Sequence, residues 1–468
     1  MNRSPLARLA AAVTVAPIVV LGSSLSPAAA APCTITGTPG DDVLTGTSGN
    51  DVICGLGGND LLRGLAGDDE LVAGDGNDTI WPGRGSNTVN GGTGTDAVRY
   101  DDLATGSVEV RLSAGSVTGA VTDTVVRVEN VVGTDRADRL VGSAGPNRLE
   151  GLGGNDVIVG RGDSDRLLGA EGNDVIQPGI QDDVADGGDG RDTISFSDLT
   201  GSGVQVDLGA RSATGQTGVD AITNFEAVVG TIRDDVLIGD GNYNTLNGLA
   251  GNDVLAPSTG NRPETVRGGD GRDTLDLGAT GFGPSNSVNL ATGVMTLNGR
   301  VGVIDGVEDV IGGLGPDTII GDAGPNWISG GTGNDTITGG AGDDTLLGGV
   351  GNDSFVTGDG YDFVVGGPST GVDTISYAAE TLGAITAELD DEEVFTSDGT
   401  FDSVSGIEHL FGTSFADALQ GGLGTVNVTL DGQGGGDSIL VSDGFGGDTA
   451  ISDATSNCVG DVGDTITC

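Results

Sequence analysis

The chain is 468 residues long, with glycine at 90 positions, aromatic residues at 3%, and 69 acidic against 19 basic side chains for a formal net charge of −50. Glycine at that level is far above the usual ~7%, and aromatics are too few for a thick core. A repeat architecture that buries a thin core turn by turn therefore fits better than two or three packed domains. The charge excludes nucleic-acid phosphates and anionic membrane surfaces as partners. It also opposes compaction of the chain itself unless cations bind, and without them such a composition stays expanded.

Residues 1–31 read as a secretory signal peptide: Arg3 and Arg8 precede an apolar run to about Leu25, and "SPAAAA" offers small residues for cleavage near Ala30 or Ala31. Pro17 and Gly22 interrupt the run, which argues against a membrane anchor, so the expectation is a secreted, extracellular chain with no membrane insertion. The four cysteines fit an oxidising compartment; the expected bridges are the local clasps Cys33–Cys54 and Cys458–Cys468. Zinc is a poor rival, since there is no Cys-x-x-Cys and the one histidine is His409.

From Gly37 a nine-residue clock begins, with units starting at 37, 46, 55, 64, 73, 82 and 91. Further arrays start at Gly133, Gly230, Gly312 and Gly412; the third gains two residues within "PSTGNRPETVR" and the fifth is degenerate. The expected organisation is a first array at 32–99, spacer 100–132, second array 133–195, spacer 196–229, third array 230–276, spacer 277–311, fourth array 312–376, spacer 377–411, and a degenerate array with a C-terminal clasp at 412–468. The spacers carry alternating strand patterns such as "GSVEVRL", and each ends on a matching phrase: "VENVVGT", "FEAVVGT", "VEDVIGG", "IEHLFGT".

Within a unit, glycines at the first, second and fourth places make a turn, and the last three residues favour a short strand. The eighth residue points inward, so Ile319, Ile328, Ile337, Leu346, Phe355 and Val364 form one apolar column. Turn, strand, turn, strand predicts a flattened right-handed parallel β-roll, an all-β solenoid with two nonapeptides per circuit. Sixth-position carboxylates then stack one strand spacing apart, Asp335 over Asp317 for example, and repel unless a hard cation joins them. Backbone carbonyls of the glycine turns complete an all-oxygen site, which suits Ca²⁺.

"GGTGNDTIT", "GGAGDDTLL" and "GLGGNDVIV" resemble the Gly-Gly-x-Gly-x-Asp-x-U-x nonapeptide of RTX, or haemolysin-type, calcium-binding repeats. The resemblance implies that the sixth-position Asp binds calcium with carbonyls of its own turn and of the turn two units away. Carried over, the first array offers Asp42, Asp60, Asp78 and Asp96 on one edge and Asp51 and Asp69 on the other, followed by Asn87. The second offers Asp138, Asp156, Asp174 and Asp192 opposite Asn147, Asp165 and Asp183. The third keeps Asp235, Asn244, Asp253 and Asp273; the fourth has Asp317, Asp335, Asp353 and Asp373 opposite Asn326, Asp344 and Asp362. The fifth keeps Asp417 and Asp437. The Asn positions predict weaker or absent sites. The expected load is on the order of 15 ions, each with a Kd of about 10⁻⁴–10⁻³ M.

An isolated Gly-Asn-Asp is usually Asx-turn chemistry without metal; a dozen units in register favour a stacked site. No catalytic residue is expected. His409 occupies the slot held by Asn130, Ala227 and Asp309 in the sister phrases, and "GPSTG" at 367–371 mimics a nucleophile elbow without a following helix. Trp81 and Trp327 are too scattered for a sugar platform. The reading is a non-enzymatic secreted protein that folds on Ca²⁺ into an acidic rod of structural or matrix role. The alternative is a calcium-dependent adhesin or glycan-binding surface protein, which an exposed aromatic cluster would favour; none is visible in the sequence. A file of threonines for ice binding is absent, and repeats beginning just after the expected cleavage leave no room for a catalytic domain.

Overall fold

The computed structural model describes residues 32–468 apart from 216–217, 259, 261–263, 282, 284, 369–370, 380–382, 390, 398, 422–426, 442–446, 453–455 and 461–463. The expected signal segment 1–31 lies outside the described residues. The chain winds as a parallel β-solenoid of about 22 turns. Within the arrays, alternate units feed two facing sheets, and each strand pairs with the one 18 residues on: Ile53 with Leu71 and Leu71 with Val89 in one, Leu44 with Leu62 and Leu62 with Ile80 in the other. Two nonapeptides per circuit are thus observed. The third-array expansion lengthens the two steps that span it to 20 residues, Leu246 pairing with Val266 and Leu255 with Leu275.

The core is the expected column. Ile319, Ile328, Ile337, Leu346, Phe355 and Val364 are all 1% exposed or less. Each such side chain contributes roughly 1.5–3 kcal/mol of burial. Larger buried rings occur where the repeat breaks: Tyr100, Phe196 and Tyr377 each stand just after the last strand of an array.

The spacers do not interrupt the solenoid. In the first, strands Val108–Arg111, Ser116–Gly119 and Asp123–Val126 form an antiparallel trio, entered from the preceding array through Val125 on Val89 and left through Val110 on Leu140. The closing phrase supplies Asn130–Val132, which sits between the last strand of one array and a strand of the next, Val98–Val131–Leu149. The first and third trios lie in one sheet and the second and fourth in the other. That alternation follows from the odd number of units in each intervening array, seven in the second and fourth and five in the third. Because each trio adds two strands to one side only, alternation keeps the sheets level, with 25 and 24 strands among the described residues. Both expected disulfides are present, Cys33–Cys54 with Cα atoms 5.9 Å apart and Cys458–Cys468 with 6.3 Å, each stapling one end of the rod.

Candidate metal centre

Every sixth-position side chain lies where a strand emerges from its turn. Within the arrays its backbone N–H as a rule donates to Oδ1 of the sixth-position side chain one layer on, while Asp437 donates to the Ser456 hydroxyl. Asp42, Asp60 and Asp78 donate to Asp60, Asp78 and Asp96, and Asp51 to Asp69, at 2.7–2.9 Å. Asp138, Asp156, Asp174, Asn147 and Asp165 donate to Asp156, Asp174, Asp192, Asp165 and Asp183 at 2.7–2.8 Å. Asp235 and Asp253 donate to Asp253 and Asp273 at 2.8 Å. In the fourth array Asp317, Asp335 and Asp353 donate to Asp335, Asp353 and Asp373, and Asn326 and Asp344 to Asp344 and Asp362, all at 2.8 Å. One oxygen of each carboxylate therefore performs the metal-free turn chemistry, and what meets the other oxygen divides the sites in two.

At the head of each array the second oxygen is closed. Thr38, Thr47, Thr134, Thr231, Gly313 and Thr413 donate their N–H to Oδ2 of Asp42, Asp51, Asp138, Asp235, Asp317 and Asp417, at 2.6 Å for Thr47 and Thr231 and 2.7 Å for Gly313 and Thr413. Second units holding Asn do the same with their single oxygen: Ser143 to Asn147, Asp240 to Asn244 and Asp322 to Asn326, at 2.7–2.9 Å. Asp437, in the degenerate array, takes the hydroxyls of Ser452 and Ser456 on Oδ2.

In later units the second oxygen is open. Oδ2 of Asp60, Asp69, Asp78, Asp96, Asp156, Asp165, Asp174, Asp183, Asp192, Asp253, Asp273, Asp335, Asp344, Asp353 and Asp362 is buried with no hydrogen-bond partner among the described residues. The local cause is visible in the strands. In most later units residues one to three extend the strand, as in Val52–Gly57 and Trp327–Thr332, and spend their backbone groups on the neighbouring layer. Before Asp69 the strand Leu61–Arg63 is short, but Gly64 and Gly67 still donate to the next layer, to the Trp81 and Arg84 carbonyls. In head units the strand stops after three residues, as in Val43–Thr45 and Thr318–Ile320, and the turn folds back on its own carboxylate.

The open oxygen faces a cradle. A Cβ on Gly55 would lie against both Asp60 Oδ2 and the Ala73 carbonyl; Gly64, Gly169 and Gly348 stand in the same relation to Asp69 and Pro82, Asp174 and Gly187, and Asp353 and Gly366. The first-position glycine thus keeps clear a space bounded by one carboxylate oxygen and a carbonyl from two units on. No three Asp, Glu, His or Cys converge among the described residues, so a metal here would be held by carboxylate and carbonyl in combination, a donor set that fits Ca²⁺. Burial opposes ionisation of these groups in the metal-free chain: it pushes Asp156, Asp165, Asp253 and Asp362 up to about 7 and Asp183 to about 8, with neighbouring carboxylates adding to the shift. Asn87 shows what breaks the pattern. Its Oδ1 accepts the Asp69 N–H at 3.0 Å, leaving a buried, unpartnered Nδ2 where its neighbours present oxygen, so this unit is unfit for a cation.

Sequence reasoning missed the carboxylates that carry the ladder through the spacers. Glu129, Glu226, Glu308 and Glu408, one in each closing phrase, accept the N–H of Asp96, Asp192, Asp273 and Asp373 at 2.7–2.9 Å. Their recurrence in four sister phrases was the available signal. Asp123, Asp220 and Asp402 accept from Asn87, Asp183 and Asp362 at 2.8–3.2 Å, and Glu264 from Asn244 at 2.9 Å, off the nine-residue clock. His409 forms a strand N–H bond to the Asp373 carbonyl, as Asn130 does to Asp96, which is a spacer role. Trp81 packs between Arg63 and Arg99 and donates to Asp101 at 2.8 Å. Part of "GPSTG", 369–370, lies outside the described residues.

The model of the RTX calcium-binding nonapeptide repeat matches residues 34–62, 63–98, 132–167, 159–194, 229–262, 258–279, 311–346, 329–364 and 347–369, together just over half of the chain. No curated protein matches it. The matched segments contain every open sixth-position carboxylate and leave out the spacer trios. The chain belongs to the RTX calcium-binding nonapeptide-repeat family.

Proposed function

We propose that this is a secreted, non-enzymatic protein whose arrays fold by binding Ca²⁺ at the open sixth-position carboxylates, giving an acidic rod that serves as a spacer or matrix component. The observation that carries this is the set of fifteen buried sixth-position carboxylate oxygens named above, with no partner among the described residues. In a chain of net charge −50, so many unpaired buried anions oppose folding. Bound Ca²⁺ supplies the positive charge that offsets them. The chain's own residues do the rest: Oδ1 of each Asp holds the adjacent layer, Oδ2 and the turn carbonyls hold the ion, and the apolar column closes once the layers stack. Arrays hold ions, and spacers carry the ladder from one array to the next. Equilibrium dialysis against ⁴⁵Ca²⁺ tests this: about 15 ions per chain at millimolar calcium are expected, and a chain that binds two or fewer contradicts it.

A specific observation keeps the adhesin reading open. Tyr361, Phe363, Phe395 and Phe401, between 41 and 51% exposed, gather at the fourth spacer, with Tyr361 and Phe395 rings 5.4 and 5.9 Å from Phe401. The sequence did not reveal this cluster because its members are joined by strand pairing, Phe395 opposite Phe401, across the spacer. Such a surface suits the apolar faces of sugar rings. If it is a glycan site, Phe401→Ala abolishes binding to a glycan array without altering calcium binding; an array with no calcium-dependent signal removes this reading.

A further inference from the structure

The four spacers are sister copies that differ at one buried pair, and one of them keeps half of it. In the first spacer Asp123 accepts the N–H of Asn87 on Oδ1, and its Oδ2 takes the hydroxyl of Tyr100 at 3.2 Å. In the fourth, Asp402 accepts from Asp362, and its Oδ2 takes the hydroxyl of Tyr377 at 2.8 Å. The third has no carboxylate there: Gly302 stands beside Glu264, and the ring position is Leu277. The second spacer keeps the carboxylate and lacks the hydroxyl. Asp220 accepts the Asp183 N–H at 3.0 Å, but the residue matching Tyr100 and Tyr377 is Phe196. The match is fixed by backbone: Tyr100, Phe196 and Tyr377 each donate N–H to the closing-phrase carbonyl of Val132, Val229 and Phe411.

Asp220 is fully buried, and its Oδ2 has no hydrogen-bond partner. In the adjoining layer Asp183 is 1% exposed and likewise has an unpartnered Oδ2. A buried carboxylate beside an aliphatic or aromatic wall, with a second one next to it, is costly unless a positive group, a donor or a proton meets it. The first and fourth spacers supply the donor from tyrosine, and here no side chain among the described residues does. We propose that Asp220 and Asp183 together bind a hard divalent cation, Ca²⁺, inside the second spacer, so that the calcium column runs off the end of the second array into a segment with no nonapeptide. Their two free oxygens are part of the six to eight that Ca²⁺ takes, the remainder being backbone carbonyl and water.

This inference rests on the calcium reading above, and the test separates the two. Native mass spectrometry of the chain from residue 32 to 468, saturated with Ca²⁺, counts bound ions. Phe196→Tyr restores the hydroxyl found in the sister spacers and is expected to lower the count by one; Asp220→Asn is expected to do the same. Phe196→Leu, which offers no hydroxyl, is expected to retain the full count, separating the donor effect from packing. Equal counts for Phe196→Tyr, Asp220→Asn and the unsubstituted chain overturn the spacer site while leaving the array sites standing. A chain that binds no Ca²⁺ overturns both.

Discussion

The opening turn of an array and the turns from the third unit on carry the same sixth-position Asp on a similar ladder, yet they pose different electrostatic problems. Asp235 has its second oxygen satisfied by Thr231 within its own turn, whereas Asp253, one layer on, has the same oxygen buried and bare. The difference lies in what the second residue of the unit does. In a closed turn, whether Thr, Ser, Asp or Gly313, it gives its N–H to the sixth-position side chain; where it holds a positive φ, as at Leu249, Gly269 and Gly349, it turns away from that side chain toward the next layer. An array thus begins with turns that are complete without metal and continues with turns that are not. The comparison teaches that stacking alone does not leave a carboxylate oxygen in want of a partner; the course of the turn does.

Removing calcium should break this comparison most visibly. With a chelator at neutral pH, hydrogen exchange is expected to become fast throughout the later turns, such as 151–195 and 330–366, and to stay slowest around the closed turns and the disulfide-stapled ends. Uniform protection in chelator contradicts the division. Substitution should separate the classes next. Asp174→Asn removes an open oxygen and is expected to raise the calcium concentration needed for folding several-fold. Asp235→Asn keeps one acceptor in a closed turn and is expected to leave that midpoint nearly unchanged, as read by calcium titration of both variants.

The third expectation concerns pH. Burial raises the open carboxylates in the folded, metal-free chain, Asp96 to about 6, Asp156 and Asp253 to about 7 and Asp183 to about 8, against an unfolded value near 3.9. The folded state therefore holds more protons than the unfolded one between those values, so its stability falls as pH rises from about 4 to about 8. Metal-free chain should gain β-structure on acidification from pH 8 to pH 5, while calcium affinity should fall over the same range because ion and proton compete. Circular dichroism in chelator that is flat across this range contradicts the burial assigned to these groups. A smaller effect is expected at Thr231→Val, which removes the hydroxyl bonds to Asp235 and the Arg233 carbonyl: about 1 kcal/mol of stability, measured by denaturant unfolding and equal with low or high calcium. The smallest is Leu65→Gly. Leu65 holds φ at 78° in a second-position turn, a left-handed conformation that costs a side chain about 1 kcal/mol, so the substitution should be neutral to slightly stabilising in the same experiment.

Much of the fold was legible because it is written in periodicity. The nine-residue clock carried the two-unit circuit and the inward column, since identical turns stack only in phase, while both disulfide clasps followed from the placing of four cysteines near the two ends. The ladder residues were legible for the same reason. The split between closed and open carboxylates was not drawn from the sequence, although Thr38, Thr134 and Thr231 at the second position signalled it: the deciding bond runs from a backbone N–H, and its direction depends on whether the strand continues. The spacer carboxylates escaped because Asp220 follows Asp183 by 37 residues, a separation set by an antiparallel trio and not by the repeat. The aromatic cluster was hidden likewise, Tyr361 and Phe401 being brought together by a strand pairing across 40 residues.

The most direct test of calcium-coupled folding is far-UV circular dichroism of residues 32–468, purified in chelator and titrated with Ca²⁺, with Mg²⁺ as the control. A cooperative coil-to-β transition with Ca²⁺ alone, centred between micromolar and millimolar, is the result predicted from the open carboxylates. A spectrum already rich in β-structure in chelator at neutral pH and indifferent to Ca²⁺ would show that the ladder stands on hydrogen bonds alone, and would contradict the account.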